Sequence, residues 1–166
     1  MMSEAHPLVA VLMGSASDLP VLDACLKTLE SYAIPFECRI LSAHRTPHET
    51  AAYVEGAEQR GIEVIIAAAG MAAHLAGVAA AHTALPVIGI PVASGPLNGQ
   101  DALLSTVMMP PGMPVATVAI NGSANAAHLA AQILSLSRPE LRAAIKKSRE
   151  AKREEILAKD RDAAKR

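Results

Sequence analysis

The chain alternates between short runs of consecutive apolar residues and longer segments in which apolar residues recur at helical spacing. The apolar runs cover residues 8–13, 36–41, 62–68, 86–91 and 114–120. Runs that are apolar throughout, rather than at every second position, are typical of strands buried on both faces of a parallel sheet. The sequence therefore predicts five parallel strands with helices on both sides.

The segments between these runs predict the helices. They cover residues 19–29, 47–61, 72–82, 101–107 and 123–136, and a last helix runs from residue 139 to about residue 160. Thr46 and Glu49 have the spacing of a capping box at the start of the second helix, and Ser137 and Glu140 have it at the start of the last. Gly61 is expected to end the second helix in the left-handed conformation.

Strands that alternate with helices and are joined by right-handed crossovers form a three-layer α/β sandwich. We expect one such domain over residues 1–166, because no repeat, linker or second domain is visible in the sequence. Residues 1–7 are expected to be disordered, and residues 138–166 to form a charged C-terminal helix and tail.

Charged residues are distributed unevenly. Residues 64–137 contain a single one, Asp101, whereas the segment from Arg138 onward has eleven basic and six acidic residues. So few charges are unusual on the surface of a small soluble protein, and the stretch either enters a membrane or is buried against other subunits. Glycines, His74 and six prolines interrupt it, which makes a membrane span the weaker choice. We therefore expect a homo-oligomer and no membrane partner.

Composition limits the other partners. The net charge is −1 and the chain has three aromatic residues, so neither a basic surface nor stacking platforms point to nucleic acid. The first residues show no basic region followed by an apolar run, and a cytoplasmic location is expected. Cys25 and Cys38 have neither metal-site nor disulfide spacing, so they are expected to be reduced core thiols.

Most polar residues of the apolar body lie where predicted strands end. These segments are residues 14–18, 41–46, 69–74, 93–101 and 121–125. In parallel α/β sheets, ligands bind outside the carboxyl ends of the strands. The placement of these polar residues therefore predicts a ligand site at that edge of the sheet.

The first of these loops contains Gly14, Ser15, Ser17 and Asp18. A tight turn followed by hydroxyls and free N–H groups at a helix start suits a phosphate, and the Asp18 carboxylate could hold a ribose diol. The alternative is that Ser17 or Asp18 merely caps the helix. The loop is neither a dinucleotide fingerprint nor a Walker loop, which argues against NAD and ATP chemistry.

The second and third loops supply Ser42, His44, Arg45 and His74. A lone Arg in such a loop suits an anionic ligand, and His44 can exchange protons near neutral pH. The alternatives are a surface salt bridge for Arg45 and a helix-start role for His74. His48, His82 and His128 fall within predicted helices, where structural roles are expected.

Two other kinds of site are weakly supported. His44, His74 and Asp101 could converge, but they lack a recognised metal-ligand spacing, so no metal is expected. A Ser15–His44–Asp18 triad lacks the Gly-x-Ser-x-Gly elbow that would support it.

Six motifs in one order carry a family resemblance. They are Met-Gly-Ser-Ala-Ser-Asp at 13–18, Ser-Ala-His-Arg-Thr-Pro at 42–47, Ala-Ala-His-Leu at 72–75, Gly-Ile-Pro-Val at 89–92, Leu-Asn-Gly-Gln-Asp at 97–101, and residues 109–120. Over residues 8–136 the chain resembles the N5-carboxyaminoimidazole ribonucleotide mutases of purine biosynthesis, the PurE family. The resemblance implies a flavodoxin-like (Rossmann-like) parallel sheet, a homo-octamer, a small ribonucleotide substrate, and no metal or other cofactor.

The resemblance also implies residue roles. His44 would be the general acid and base that moves a carboxylate from N5 to ring carbon C4. The substrate-binding residues would be Ser15, Ser17, Ser42 and Arg45 at the phosphate, Asp18 at the ribose, and Gly70, Ala73 and His74 in a base and carboxylate pocket over residues 70–75.

The chain departs from the family pattern at positions without a proposed chemical role. Met71 stands where the family often has Gly, Ala76 where it often has Pro, and Ala102 and Met108 replace a common Ser and Gln. A related branch carboxylates aminoimidazole ribonucleotide directly with CO₂ and usually reads Ala-His-Lys in the second motif, so Arg45 and Pro47 favour the mutase branch. A non-catalytic nucleotide-binding module is a further alternative, and such a module would not need His44.

Overall fold

The computed structural model describes residues 6–165, which form a five-stranded parallel sheet between two layers of helices. The strands are β1 Val9–Met13, β2 Phe36–Ile40, β3 Val64–Gly70, β4 Val87–Val92 and β5 Ala116–Thr117, in the order β2-β1-β3-β4-β5. The helices are α1 Leu19–Ser31, α2 Pro47–Glu55, α3 Leu75–Ala81, α4 Gln100–Val107, α5 Ser123–Leu134 and α6 Pro139–Ala163. The prediction of a three-layer α/β sandwich is confirmed.

The central strand β1 shows why the predicted strands lack alternation. Val9, Val11 and Met13 join a core with α1, α5 and the start of α6, whereas Ala10 and Leu12 join a second core with α2 and α3. Side chains of a strand point alternately to its two faces, so a strand buried on both faces is apolar at every position. All five residues of β1 are buried.

The fifth strand is shorter than predicted. Only two residues, Ala116 and Thr117, pair with β4 in regular fashion, although residues 114–120 were expected to form the strand. Beyond them the chain still follows β4, because Val118 N–H donates to Gly89 O at 3.1 Å and Asn121 N–H donates to Pro91 O at 2.9 Å. An edge segment can be irregular because it has a neighbour on one side only.

The predicted extent of α2 and its capping box are wrong. The helix ends at Glu55, and a separate 3-10 turn, Glu58–Arg60, follows before Gly61 at φ +89°. Gly61 therefore has the expected left-handed conformation but caps the turn rather than the helix. Thr46 occupies the N-cap position without a capping side chain, because its hydroxyl bonds the backbone of Ser42.

The start of α3 and the capping of α6 also differ from the prediction, although α6 begins at Pro139 as predicted. Helix α3 begins at Leu75 rather than at residue 72, and the preceding residues form the end of the loop after β3. Helix α6 has Arg138 at its N-cap with no side-chain cap, because the Ser137 hydroxyl donates to Leu134 O instead. Arg138 itself pairs with Glu63 and so joins the start of α6 to the residue before β3.

The termini of the described chain agree in part with expectation. The prediction for residues 1–7 lies outside the described residues except for His6 and Pro7, which have no regular secondary structure. Helix α6 covers the predicted charged C-terminal segment, and only Leu141 and Ile145 are buried in it. Within residues 6–165, no helix combines the length and apolar character needed to cross a membrane.

Candidate active site

The loops after β1, β2 and β3 meet in one cavity of about 380 Å³, as parallel strands with a common carboxyl edge require. Its lining is Gly14, Ser15, Ser17, Asp18, Ser42, Ala43, His44, Arg45, Ala69, Gly70, Met71, Ala72, His74, Leu75 and Ser94. All predicted site residues except Ala73 are among them. Ala73 is buried with 1% of its surface exposed and lies outside this lining.

The first loop is a capping box that faces the cavity. The Ser15 hydroxyl accepts from Ser17 N–H at 3.3 Å, and Asp18 Oδ2 accepts from Ser15 N–H at 3.1 Å, at the start of a 3-10 turn. The Ser17 hydroxyl also donates to the Ser15 hydroxyl at 2.8 Å. Ser15 is therefore the N-cap of this turn and Asp18 its capping-box partner, whereas Asp18 at the N-cap position of α1 makes no side-chain capping bond to that helix. Ser15, Ser17 and Asp18 all line the cavity.

Asp18 is a buried carboxylate at the cavity wall. Burial raises its pKa above the ordinary 3.8, while hydrogen bonds from Ser15 N–H and the Ser17 hydroxyl, and the charge of Arg45, act in the opposite direction. An ionised carboxylate can accept about four hydrogen bonds, so Asp18 can accept further bonds from a diol in the cavity.

Arg45 joins the first two loops. Its Nη2 donates to Gly14 O at 2.7 Å, and its Nε and backbone N–H both donate to the Ser42 hydroxyl, at 3.3 and 3.2 Å. Among residues 6–165 it forms no ion pair with a carboxylate, so the salt-bridge alternative is not supported. A guanidinium fixed by neutral partners keeps its full charge for an anion.

His44 and His74 are in direct contact, although they lie 30 residues apart. His44 Nε2 is 2.7 Å from His74 Nδ1, and the ring planes meet at 84°. One nitrogen must donate and the other accept at this distance, so one proton lies between the two rings. Which ring carries it is a question of tautomer that heavy-atom positions do not define.

The loop after β3 contains a methionine in an unusual backbone conformation. Met71 has φ +54°, in the left-handed region that favours glycine, and its side chain is 55% exposed. This conformation gives a physical reason for the family's frequent glycine at this position. Of the other departures, Ala76 and Ala102 are buried and Met108 is exposed, and all three lie outside the cavity lining.

One polar residue of the cavity lining was not singled out from the sequence. Ser94 follows β4 and reaches the cavity, and it falls within a loop that the strand pattern had indicated without singling it out. The fifth predicted loop contributes only indirectly: Asn121 Oδ1 accepts from Ala93 N–H at 2.8 Å and so supports the backbone beside Ser94.

The weaker alternatives receive no support from the geometry. Asp101 lies outside the cavity lining, with its carboxylate bonded to Ala102 N–H of its own helix, and within residues 6–165 no three His, Cys, Asp or Glu side chains group as metal ligands. Asp18 bonds Ser15 N–H while His44 bonds His74, so Ser15, His44 and Asp18 do not form a triad.

Two of the three other histidines that were predicted to lie in helices, His82 and His128, have partners outside the cavity. His82 Nδ1 lies 2.9 Å from Glu55, and His128 Nδ1 lies 3.0 Å from the Tyr32 hydroxyl. His82 follows the end of α3 rather than lying within it, in contrast to the prediction. These contacts are consistent with structural roles.

Comparison with known proteins gives consistent matches. Residues 8–155 match the model of a family described as AIR carboxylase. The N5-carboxyaminoimidazole ribonucleotide mutase of Pyrococcus abyssi is 55% identical over 150 residues, which cover 90% of this chain and 86% of that protein. A crystal structure of Treponema denticola PurE has 30% sequence identity and a TM-score of 0.84, and the match covers 94% of this chain and 98% of that one.

A relative with a different name also matches. The phosphoribosylaminoimidazole carboxylase of Saccharomyces cerevisiae is 58% identical over 128 residues, which cover 77% of this chain and 22% of that longer protein. This relative is thus named a carboxylase, whereas the Pyrococcus abyssi relative is named a mutase.

Proposed function

The chain belongs to the AIR carboxylase family, and we propose that its cavity interconverts N5-carboxyaminoimidazole ribonucleotide and 4-carboxy-5-aminoimidazole ribonucleotide. The observation that carries this proposal is the contact of His44 with His74 beside the cluster of Ser15, Ser17, Ser42 and Arg45. A proton-exchanging pair next to an anion-binding cluster suits a reaction that moves a carboxylate on a phosphorylated substrate. Full-length relatives named as mutases support the same activity.

His44 would act first as an acid and then as a base. It protonates N5 as the N–C bond breaks and CO₂ leaves, and ring carbon C4 then attacks the CO₂ held in the cavity. The neutral imidazole next removes the proton from C4, which restores the aromatic ring and returns His44 to its starting state. Protons therefore balance over the cycle. A closed cavity favours recapture because the CO₂ stays next to C4.

The ring of His74 would support both proton transfers. Because one proton lies between His44 Nε2 and His74 Nδ1, a proton taken up by one ring can be shared with the other. His74 would also line the base and carboxylate end of the cavity with Gly70. Because Ala73 is buried, its methyl group would pack beneath this loop in the protein interior rather than contact the substrate.

The first two loops would hold the ribose phosphate. Ser15, Ser17 and Ser42 supply hydroxyls and Arg45 supplies the charge that a phosphate requires. Asp18 would accept hydrogen bonds from the ribose hydroxyls. The chemistry assigned to these residues needs no metal or other cofactor.

A substrate-choice assay tests this proposal. Purified protein is expected to convert the N-carboxylated nucleotide without added bicarbonate, with the His44→Asn variant as the inactive control. Turnover of aminoimidazole ribonucleotide with bicarbonate, and none of the N-carboxylated nucleotide, would favour the direct carboxylase instead. Binding of neither nucleotide would favour the non-catalytic module.

We further propose that the protein is a cytoplasmic homo-octamer of single-domain chains. Between residues 97 and 113, within the stretch that has almost no charge, five large apolar side chains are exposed, namely Leu97, Leu104, Val107, Met108 and Met113. Patches of this kind are typical of surfaces buried between subunits. Sedimentation is expected to give about eight chain masses, and a monomer at micromolar concentration would contradict this proposal.

A further inference from the structure

We propose that Ser94 binds the migrating carboxylate, an inference that rests on the mutase function proposed above. Ser94 is half-buried at the end of β4 and lines the cavity. Nothing in the motifs singled it out, because a serine after a buried strand carries no signal of its own. The inference comes from its contacts with the loop after β3 and from its hydrogen bonding.

The hydroxyl of Ser94 lies over Gly70. A methyl group built at Gly70 would come within 2.1 Å of Ser94 Oγ, which is closer than real atoms approach, and within 3.2 Å of Val92 O, which is tighter than most real contacts. Gly70 has no left-handed φ, so the backbone conformation does not demand glycine there. The requirement for glycine at this position is instead the space that the Ser94 hydroxyl occupies.

The hydroxyl of Ser94 is free to bind a ligand. The other serines of the cavity already take part in bonds: Ser15 and Ser17 bond each other, and Ser42 accepts from Arg45. Among residues 6–165 the Ser94 side chain forms no hydrogen bond, and because no buried side-chain polar atom there lacks a partner, its Oγ is accessible from the cavity. A hydroxyl held at a cavity wall without a protein partner can donate its one proton to an anion.

The position of Ser94 is fixed on both sides. Met71 packs over Gly95, since a methyl group at Gly95 would lie 3.6 to 3.9 Å from the Cγ, Sδ and Cε atoms of Met71. On the other side, Asn121 holds Ala93 N–H at 2.8 Å. These contacts hold the backbone on either side of Ser94, so the ligand does not need to order this part of the loop.

The sheet order places Ser94 at the end of the cavity opposite the anion-binding cluster. The strand order β2-β1-β3-β4 puts three inter-strand spacings, roughly 14 Å, between the loop of Ser42 and Arg45 and that of Ser94. A ribonucleotide with its phosphate at Arg45 would therefore direct its base toward Gly70 and Ser94. The carboxylate is the anionic group at that end of the substrate.

Binding measurements on Ser94→Ala test this assignment. Loss of a hydrogen bond to a charged group is expected to weaken binding of the 4-carboxylated nucleotide about tenfold or more, while aminoimidazole ribonucleotide, which lacks the carboxylate, binds as to the wild type. Ser105→Ala is the matched control, because Ser105 is also half-buried but bonds Asp101 O outside the cavity lining. The control should bind both nucleotides normally.

Gly70→Ala provides a second variant that retains the serine. Its added methyl group would displace the Ser94 hydroxyl, so affinity for the 4-carboxylated nucleotide should fall further than affinity for aminoimidazole ribonucleotide. Unchanged binding of both nucleotides by Ser94→Ala, or an equal loss for both, would overturn the assignment. Either of these results leaves the proposed function intact, because the wild type still isomerises the substrate. If the wild type binds neither nucleotide, both the proposed function and the assignment of Ser94 are overturned.

Discussion

His44 Nε2 lies 2.7 Å from His74 Nδ1, so the ring proposed as acid and base shares a proton with a ring from a different loop. The two loops follow β2 and β3, which lie on either side of β1 in the sheet. Both nitrogens cannot carry a proton in this contact, because two donors at that distance would repel. The contact therefore requires that at least one ring keep a lone pair available.

Replacement of His44 should separate chemistry from binding. His44→Asn is expected to reduce turnover at least about a hundredfold, because an amide cannot exchange a proton, while nucleotide affinity stays within about threefold. Turnover and equilibrium binding are measured on the same preparation. His44→Gln is the matched variant, since its amide reaches closer to the position of Nε2, and substantial activity in either variant would contradict the assigned role.

Arg45 should act mainly on substrate affinity. Arg45→Ala removes the guanidinium that joins Gly14 O to Ser42 and is expected to raise the Michaelis constant at least about tenfold, with a smaller effect on turnover. Arg45→Lys is the control for charge alone, because it keeps the cation but not the fork of donors. An unchanged Michaelis constant in Arg45→Ala would remove the phosphate role.

The ionised carboxylate of Asp18 should lower the stability of the folded protein near neutral pH. Burial raises the pKa of its carboxyl group, so the folded state favours the protonated form. The stabilisation of the folded state by the protonated carboxyl group is complete below the ordinary pKa of 3.8, and it is lost as the pH rises through the raised pKa of the folded protein. Asp18→Asn should therefore have a higher melting temperature than the wild type at pH 7, with a difference that shrinks toward low pH.

The same Asp18→Asn variant should bind nucleotide more weakly, because the amide accepts fewer hydrogen bonds from ribose hydroxyls. Asp23→Asn is the matched control, since Asp23 is exposed on α1 and pairs with Lys27 away from the cavity lining. It should leave nucleotide binding unchanged. A lower melting temperature for Asp18→Asn at pH 7 would contradict the view that the ionised carboxylate is unfavourable there.

At position 71, substitution by glycine should give a more stable protein than substitution by alanine, which is the reverse of the usual order. Both variants lose the contact of the Met71 side chain with Gly95. Alanine at φ +54° keeps a left-handed strain of about 1 kcal/mol, whereas glycine adopts this conformation without strain. Met71→Gly is thus expected to be more stable than Met71→Ala by about 0.5 kcal/mol or more in chemical denaturation. The opposite order would show that the backbone is not strained there.

Both cysteines should be unreactive in the folded protein. Burial, with a smaller effect from Cys38, raises the pKa of the Cys25 thiol to about 12, and burial also raises that of Cys38. Little thiolate is therefore present near pH 8, so a disulfide reagent should label both slowly and react fully only after unfolding. Labelling of Cys25 within seconds in the native protein would contradict its place in the core with Leu22 and Leu29.

Much of the fold could be predicted because the burial of a segment determines its pattern of apolar residues. Strands buried on both faces must be apolar throughout, which located β1 to β4 within a few residues. The capping motifs were less informative, since Thr46 and Ser137 have the right spacing but direct their hydroxyls to Ser42 and Leu134. A hydroxyl close to several backbone groups has competing partners, and spacing alone does not decide between them.

By itself the sequence determined which loops meet. Parallel strands have a common carboxyl edge, so Ser15, His44, Arg45 and His74 had to lie at the same end of the sheet. Only the tertiary structure decided which atoms touch: the pairing of His44 with His74, the hydrogen bond from Arg45 Nη2 to Gly14 O, and the Ser94 hydroxyl over Gly70. Such contacts depend on loop paths and side-chain rotamers over a few ångströms, which the pattern of buried positions does not constrain.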